Sequence, residues 1–173
     1  MGKALAKNLF DYLDGLGPLP ANSMFRIALE DNYLVMYHIK LKIFGSDEII
    51  QVYKINAQDI LSLDIAKRAE IENQSVIGRG AVGAMLFGPV GAVLGGMSAA
   101  SKQKVKTVFA ISYLPSNDDT PKTVIFSADA AGWSGYNTTS VAKLKSEVSA
   151  IKKSDRAMRY LGQAVNADGS ITL

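Results

Sequence analysis

The chain has 173 residues, enough for one domain whose core folds without disulfides or a structural metal. It holds no cysteine and a single histidine, which excludes disulfide bonding, thiolate chemistry, Cys-based zinc sites and any mechanism needing two histidines. Net charge is +3, carried by scattered lysines rather than a clustered basic face, so no nucleic-acid partner is expected.

In chain order, Met1-Gly-Lys-Ala-Leu-Ala-Lys-Asn lacks the apolar core of a secretory leader, and a cytoplasmic location is the expectation. Residues 3–16 carry Leu5, Leu9, Leu13 and Leu16 at helical spacing, with Lys3, Lys7, Asp11 and Asp14 on the other side. The spacing predicts an amphipathic helix, stopped by Gly15, Gly17 and Pro18. Residues 1–18 are therefore set apart from a body at 19–156 and a weakly patterned tail at 157–173.

From Ser23 the period becomes two. Phe25, Ile27 and Leu29 alternate with polar or small residues, and Asp31-Asn32 supplies a turn. Tyr33–Phe44 then alternates over a long span. Val35, Tyr37, Ile39, Leu41 and Ile43 share one face; Met36, His38, Lys40 and Lys42 share the other, which puts His38 at the surface or an edge. Further strands are expected at 49–55, 60–66, 104–114 and 122–128, six in all, in a meander that curls on itself. Trp133 is expected against the core. A helix capped by Thr139 or Ser140 follows, with Val141, Leu144, Val148 and Ile151 as its apolar stripe. Asn73-Gln74-Ser75 and Asn137-Thr138-Thr139 match the glycosylation pattern but lack a route to secretion.

This layout, with the step Ile55-Asn-Ala-Gln-Asp-Ile-Leu-Ser-Leu63 before the fourth strand, resembles pleckstrin-homology-like and GRAM-like domains. The run Gly78-Arg-Gly-Ala-Val-Gly-Ala-Met-Leu-Phe-Gly-Pro-Val-Gly-Ala92 is similar to an insert found in bacterial and phage proteins of that kind. The resemblance implies an α+β fold: a curled antiparallel sheet of six or seven strands capped by a C-terminal helix. To it are added an inserted glycine-rich helical hairpin and the N-terminal amphipathic helix. Eukaryotic members bind phosphoinositides through basic residues between their first two strands. Here that loop is read as Asp31-Asn32, short and acid-leaning, so the site is not carried over.

The insert, residues 75–101, is the most unusual stretch, because no charged residue occurs from Gly80 to Ser101. About 20 apolar residues can cross a bilayer, but Gly88-Pro89 sits at the midpoint and most side chains are small. A helical hairpin, 76–87 and 90–100, fits better, with Pro89 in the first turn of the second arm. A buried glycine-rich loop is the remaining reading. Small residues four apart (Ala84/Gly88, Gly91/Gly95, Ala92/Gly96) permit close helix contact. A hairpin exposing Val82, Met85, Leu86, Phe87, Val90, Val93 and Leu94 needs cover. The sequence thus points to a non-enzymatic module that forms a homo-oligomer through this hairpin. The alternative is a peripheral membrane protein whose hairpin enters lipid partway, with Arg79, Lys102, Lys104 and Lys106 at headgroup level.

No cofactor or metal is expected. Gly78-x-Gly80-x-x-Gly83 matches the dinucleotide fingerprint by letter but lacks a buried strand before it and an acid about 20 residues on. The carboxylate pairs Asp47-Glu48 and Asp118-Asp119 fall in turn-like sequence, as solvated charge would. A small molecule held by the curled sheet has no residue pattern to identify it.

Overall fold

The computed structural model describes residues 5–20, 23–69, 96, 104–132 and 134–163. Among these, seven antiparallel strands form one sheet: β1 (Phe10–Asp14), β2 (Met24–Glu30), β3 (Tyr33–Lys40), β4 (Glu48–Asn56), β5 (Ile60–Lys67), β6 (Thr107–Tyr113) and β7 (Lys122–Ser127). Their order is β4-β3-β2-β1-β7-β6-β5. The sheet curls on itself, for Phe25 of β2 reaches Phe126 of β7 with ring centroids 5.3 Å apart. Phe10, Phe25, Phe109 and Phe126 fill the middle, with Ile55 of β4 and Ile111 of β6 in the same core. Helix α1 (Ser134–Ser149) lies against β2 and β5 and adds Val141, Leu144 and Val148 to that core. Helix α2 (Asp155–Gln163) packs Ala157 on Leu61 and Leu114.

The expected N-terminal helix is overturned across residues 10–14, which are strand β1. Phe10 and Tyr12 alternate inward, and the facing edges of β2 and β7 take up the backbone, with Phe10 opposite Phe25 and Tyr12 opposite Phe126. Pairing on both sides outweighs a four-residue leucine spacing, because tertiary context overrides weak helical preference. Gly15 (φ +106°) and Gly17 (φ +95°) then turn the chain. A Cβ at Gly15 would stand 2.1 Å from Thr123 O, so only glycine fits this crossing. The loop between the first two strands is consequently 15–23, not Asp31-Asn32, and it too contains no lysine or arginine.

Residues 5–9 run over the outer face of β2 and β3. Leu5 and Leu9 meet Met24, Tyr37, Ile39 and Ala130 there. The Asn8 side chain acts as a short strand partner for Ile27, donating to its carbonyl at 2.7 Å and accepting from its N–H at 2.8 Å. Strand β3 is therefore covered on both faces. Leu34 and Met36 enter the main core, while Val35 and Ile39 are buried on the other side. The expected continuation to Phe44 ends at Lys40, which pairs with Glu48. His38 is not a surface residue: it is buried, 7% exposed, and stacks on Phe25 at 5.1 Å and 14°.

The Asp31-Asn32 turn is as expected, both residues having positive φ (48° and 64°), as two-residue hairpin loops require. The apolar stripe of α1 is also as expected, but the helix begins at Ser134, ahead of Thr139 and Ser140. Inside its first turns Asn137 is fully buried. Its Oδ1 accepts from Leu9 N at 2.9 Å, and its Nδ2 donates to Leu9 O at 2.5 Å and Ala128 O at 2.7 Å. Those bonds leave the side chain unavailable as a glycosylation acceptor.

The tail is ordered through α2. Ser154 accepts from Ala157 N at 3.1 Å as an N-cap, and its own N–H donates to Gln58 O at 3.0 Å. Arg156 donates to Pro115 O at 2.7 Å and Asp118 O at 2.9 Å, tying α2 to the β6–β7 loop. The expected hairpin at 75–101, Trp133 and residues 164–173 lie outside the described residues.

Candidate functional site

Two places in the fold present surface suited to contact with another molecule. The first is the neck from which the insert departs. Strands β5 and β6 pair up to Lys67 opposite Thr107, and Arg68 N then donates to Lys106 O at 2.8 Å. Asp129, just past β7, accepts from the N–H groups of both Lys106 and Thr107 at 2.7 Å. A carboxylate facing two consecutive amides holds the returning strand in place. The chain thus leaves and re-enters the sheet at one point, with Lys67, Lys104 and Lys106 exposed there. Of the residues expected to make contacts, Lys104 and Lys106 are the two described. Val82, Met85, Leu86, Phe87, Val90, Val93, Leu94, Arg79 and Lys102 lie outside the described residues.

The second place is the β3–β4 hairpin, which sequence reasoning took for continuous strand. Beyond Lys40 the chain passes through Leu41-Lys-Ile-Phe-Gly45, and Ile43 and Phe44 are 93% and 90% exposed. The register slips between His38 and Ile39, so that Ile50 is the additional residue on β4, and it is exposed. A bulge of this kind re-aims side chains at a sheet edge. Behind the tip lies a cleft of about 650 Å³, walled by Leu19, Met24, Ile39, Leu41 and Ile50, with Lys40 among its lining residues.

His38 and Tyr53 also line this cleft. Burial pushes the His38 imidazole below its ordinary pKa, because desolvation disfavours the charged form. The unfolded chain therefore binds a proton more readily than the folded one. Stability is fully present above the ordinary histidine value and falls as pH drops below it. Between about pH 7.5 and pH 5.5, wild type should lose more unfolding free energy than His38→Gln, measured by urea denaturation at each pH. Equal losses would show that His38 is not the titrating group.

The carboxylate pairs are accounted for by local bonding. Asp47 meets Arg26 at 2.7 Å, Glu48 lies 3.4 Å from Lys42, and Asp119 is 3.0 Å from Arg156. Asp118 accepts from Thr120 N at 2.8 Å, which holds its carboxyl below the usual range. Among the described residues, no helix is long and apolar enough to cross a membrane.

A curled seven-stranded antiparallel sheet closed by a C-terminal helix is the architecture of pleckstrin-homology-like domains, which are typically non-catalytic interaction modules. Residues 21–127 match the family described as "Glycine zipper containing PH domain", and since they are more than half of the chain, it belongs to that family. Strand β1 and helix α1 lie outside the matched segment and complete the sheet and its cover. No curated protein and no solved structure matches the chain.

Proposed function

We propose that the chain is a non-catalytic interaction module that self-associates through its glycine-rich segment, residues 75–101. The observation that carries this reading is the neck. The sheet closes across Arg68 and Lys106, and the core is built from residues outside the insert. The uncharged run from Gly80 to Ser101 is thus an addition to a filled domain. The spacings Ala84/Gly88, Gly91/Gly95 and Ala92/Gly96, in a family described by its glycine zipper, suit helices packing at close range.

Light scattering after size-exclusion chromatography tests it. The intact chain should run as a defined oligomer, and a chain lacking 75–101 as a monomer with its thermal transition retained. Gly91→Leu with Gly95→Leu should shift the oligomer in the same direction. An intact chain that is monomeric at every concentration rules self-association out. The exposed Lys104 and Lys106 at the neck favour, as the alternative, partial entry of Val82, Met85, Leu86, Phe87, Val90, Val93 and Leu94 into lipid, with Arg79 and Lys102 beside those lysines. In that case detergent disperses the assembly, and deleting 75–101 abolishes vesicle flotation.

A further inference from the structure

The β3–β4 tip has a chemistry of its own, whatever the insert does. Ile43 and Phe44 are the two most exposed large apolar side chains of the described residues, at the far end of a hairpin rather than in a groove. Leu41 is exposed beside them, and Lys40 and Lys42 interleave with the apolar positions. The acids nearest in sequence are neutralised locally, Asp47 by Arg26 and Glu48 by Lys42. Lys40 has no carboxylate partner among the described residues. The tip is thus convex, apolar at its end and cationic at its base.

We propose that this tip is a lipid-dipping loop that docks the domain on an anionic membrane surface. Ile43 and Phe44 enter the acyl boundary, while Lys40 and Lys42 remain at the level of the phosphates. Shape decides for lipid over protein. A protein interface buries its central side chains in a complementary pocket, whereas side chains nine-tenths exposed at a hairpin end find a ready medium in a fluid layer. Charge decides in the same direction, since long lysine side chains can lie along apolar material and keep their ammonium groups in the headgroup zone. The apolar cleft continues the patch through Leu41 and Ile50, so acyl material meets no polar barrier behind the tip.

Vesicle flotation with the full-length chain tests the proposal. Phosphatidylcholine vesicles with and without phosphatidylserine are compared, each at about 0.1 M and about 0.5 M salt, which spans strong and weak screening. The intact chain should float with the phosphatidylserine vesicles, less so at high salt, and little with phosphatidylcholine alone. Ile43→Ser with Phe44→Ser should lower the partition coefficient by about tenfold or more, since it removes two large buried side chains. Lys40→Gln with Lys42→Gln should lower it several-fold and flatten the salt dependence. The melting temperatures of these variants should match wild type, because the altered side chains are exposed.

The proposal is overturned if the intact chain does not float. It is also overturned if Ile43→Ser/Phe44→Ser floats like wild type, which would place any lipid contact elsewhere. If that variant instead loses its oligomeric state, the tip's occupant is a second copy of the chain. Light scattering on the same samples reads self-association separately, so the failure of one reading leaves the other standing.

Discussion

Asn137→Ala should lower the melting temperature by about 10 °C, a large effect for a substitution that removes no apolar packing. The side chain satisfies three backbone groups at once: the N–H and C=O of Leu9 and the C=O of Ala128. Each lies at a residue buried in the fold, where water cannot replace the lost partner. At about 1 kcal/mol or more per orphaned group, the loss is about 3–4 kcal/mol. For a chain of this size each kcal/mol moves the transition by about 2–4 °C. Asn137→Asp should be no milder, since it keeps the acceptor for Leu9 N but lacks the N–H donors to the two carbonyls and adds a buried charge. Thermal unfolding by circular dichroism measures both variants. A shift under about 3 °C would mean that these groups find new partners.

The second large effect is expected at Phe126. Its ring has Phe25 at 5.3 Å, Phe10 at 6.1 Å, Phe109 at 6.1 Å and Tyr12 at 6.2 Å, all from strands on both sides of the curl. Phe126→Ala opens a cavity where the two halves of the sheet meet and should cost about 3–5 kcal/mol. Phe126→Leu retains much of the volume and should cost clearly less. Denaturant midpoints of the three proteins give the order. An alanine variant within about 1 kcal/mol of wild type would show that the site collapses around the missing ring.

The strands from β2 to β7 were legible because period-two alternation, the Asp31-Asn32 turn and the 115–121 loop all pointed the same way. β1 was not, since Leu5, Leu9, Leu13 and Leu16 mimic a helical stripe while the inward residues are Phe10 and Tyr12. Nothing local separates these readings; the two strand edges that receive residues 10–14 come from segments more than ten residues away. The faces of β3 were misassigned for a related reason. When residues 5–9 cover the outer face, alternation no longer marks which side is inner. Helix α2 did carry a signal in Ser154-Asp155, an N-cap followed by an acid in the first turn, but it is short and its apolar face is sparse.

For the candidate site, the sequence led to the insert and to the basic residues flanking it, and the structure places Lys104 and Lys106 at the neck. The β3–β4 tip was missed because Leu41 and Ile43 continue an alternating pattern without a break. Pairing of β3 with β4 stops at Lys40 and Glu48, a limit that a partner strand imposes and no local pattern records.

The closure at Arg68 and Lys106 has a consequence for how such a chain can change. Closing a loop twice as long costs only about 0.6 kcal/mol more. With the ends held by the Arg68–Lys106 bond and the Asp129 carboxylate, the chain between them can lengthen, shorten or alter in composition with little penalty to the sheet. The domain is in effect a fixed mount with an exchangeable attachment, and its specificity is free to drift while its fold stays constant.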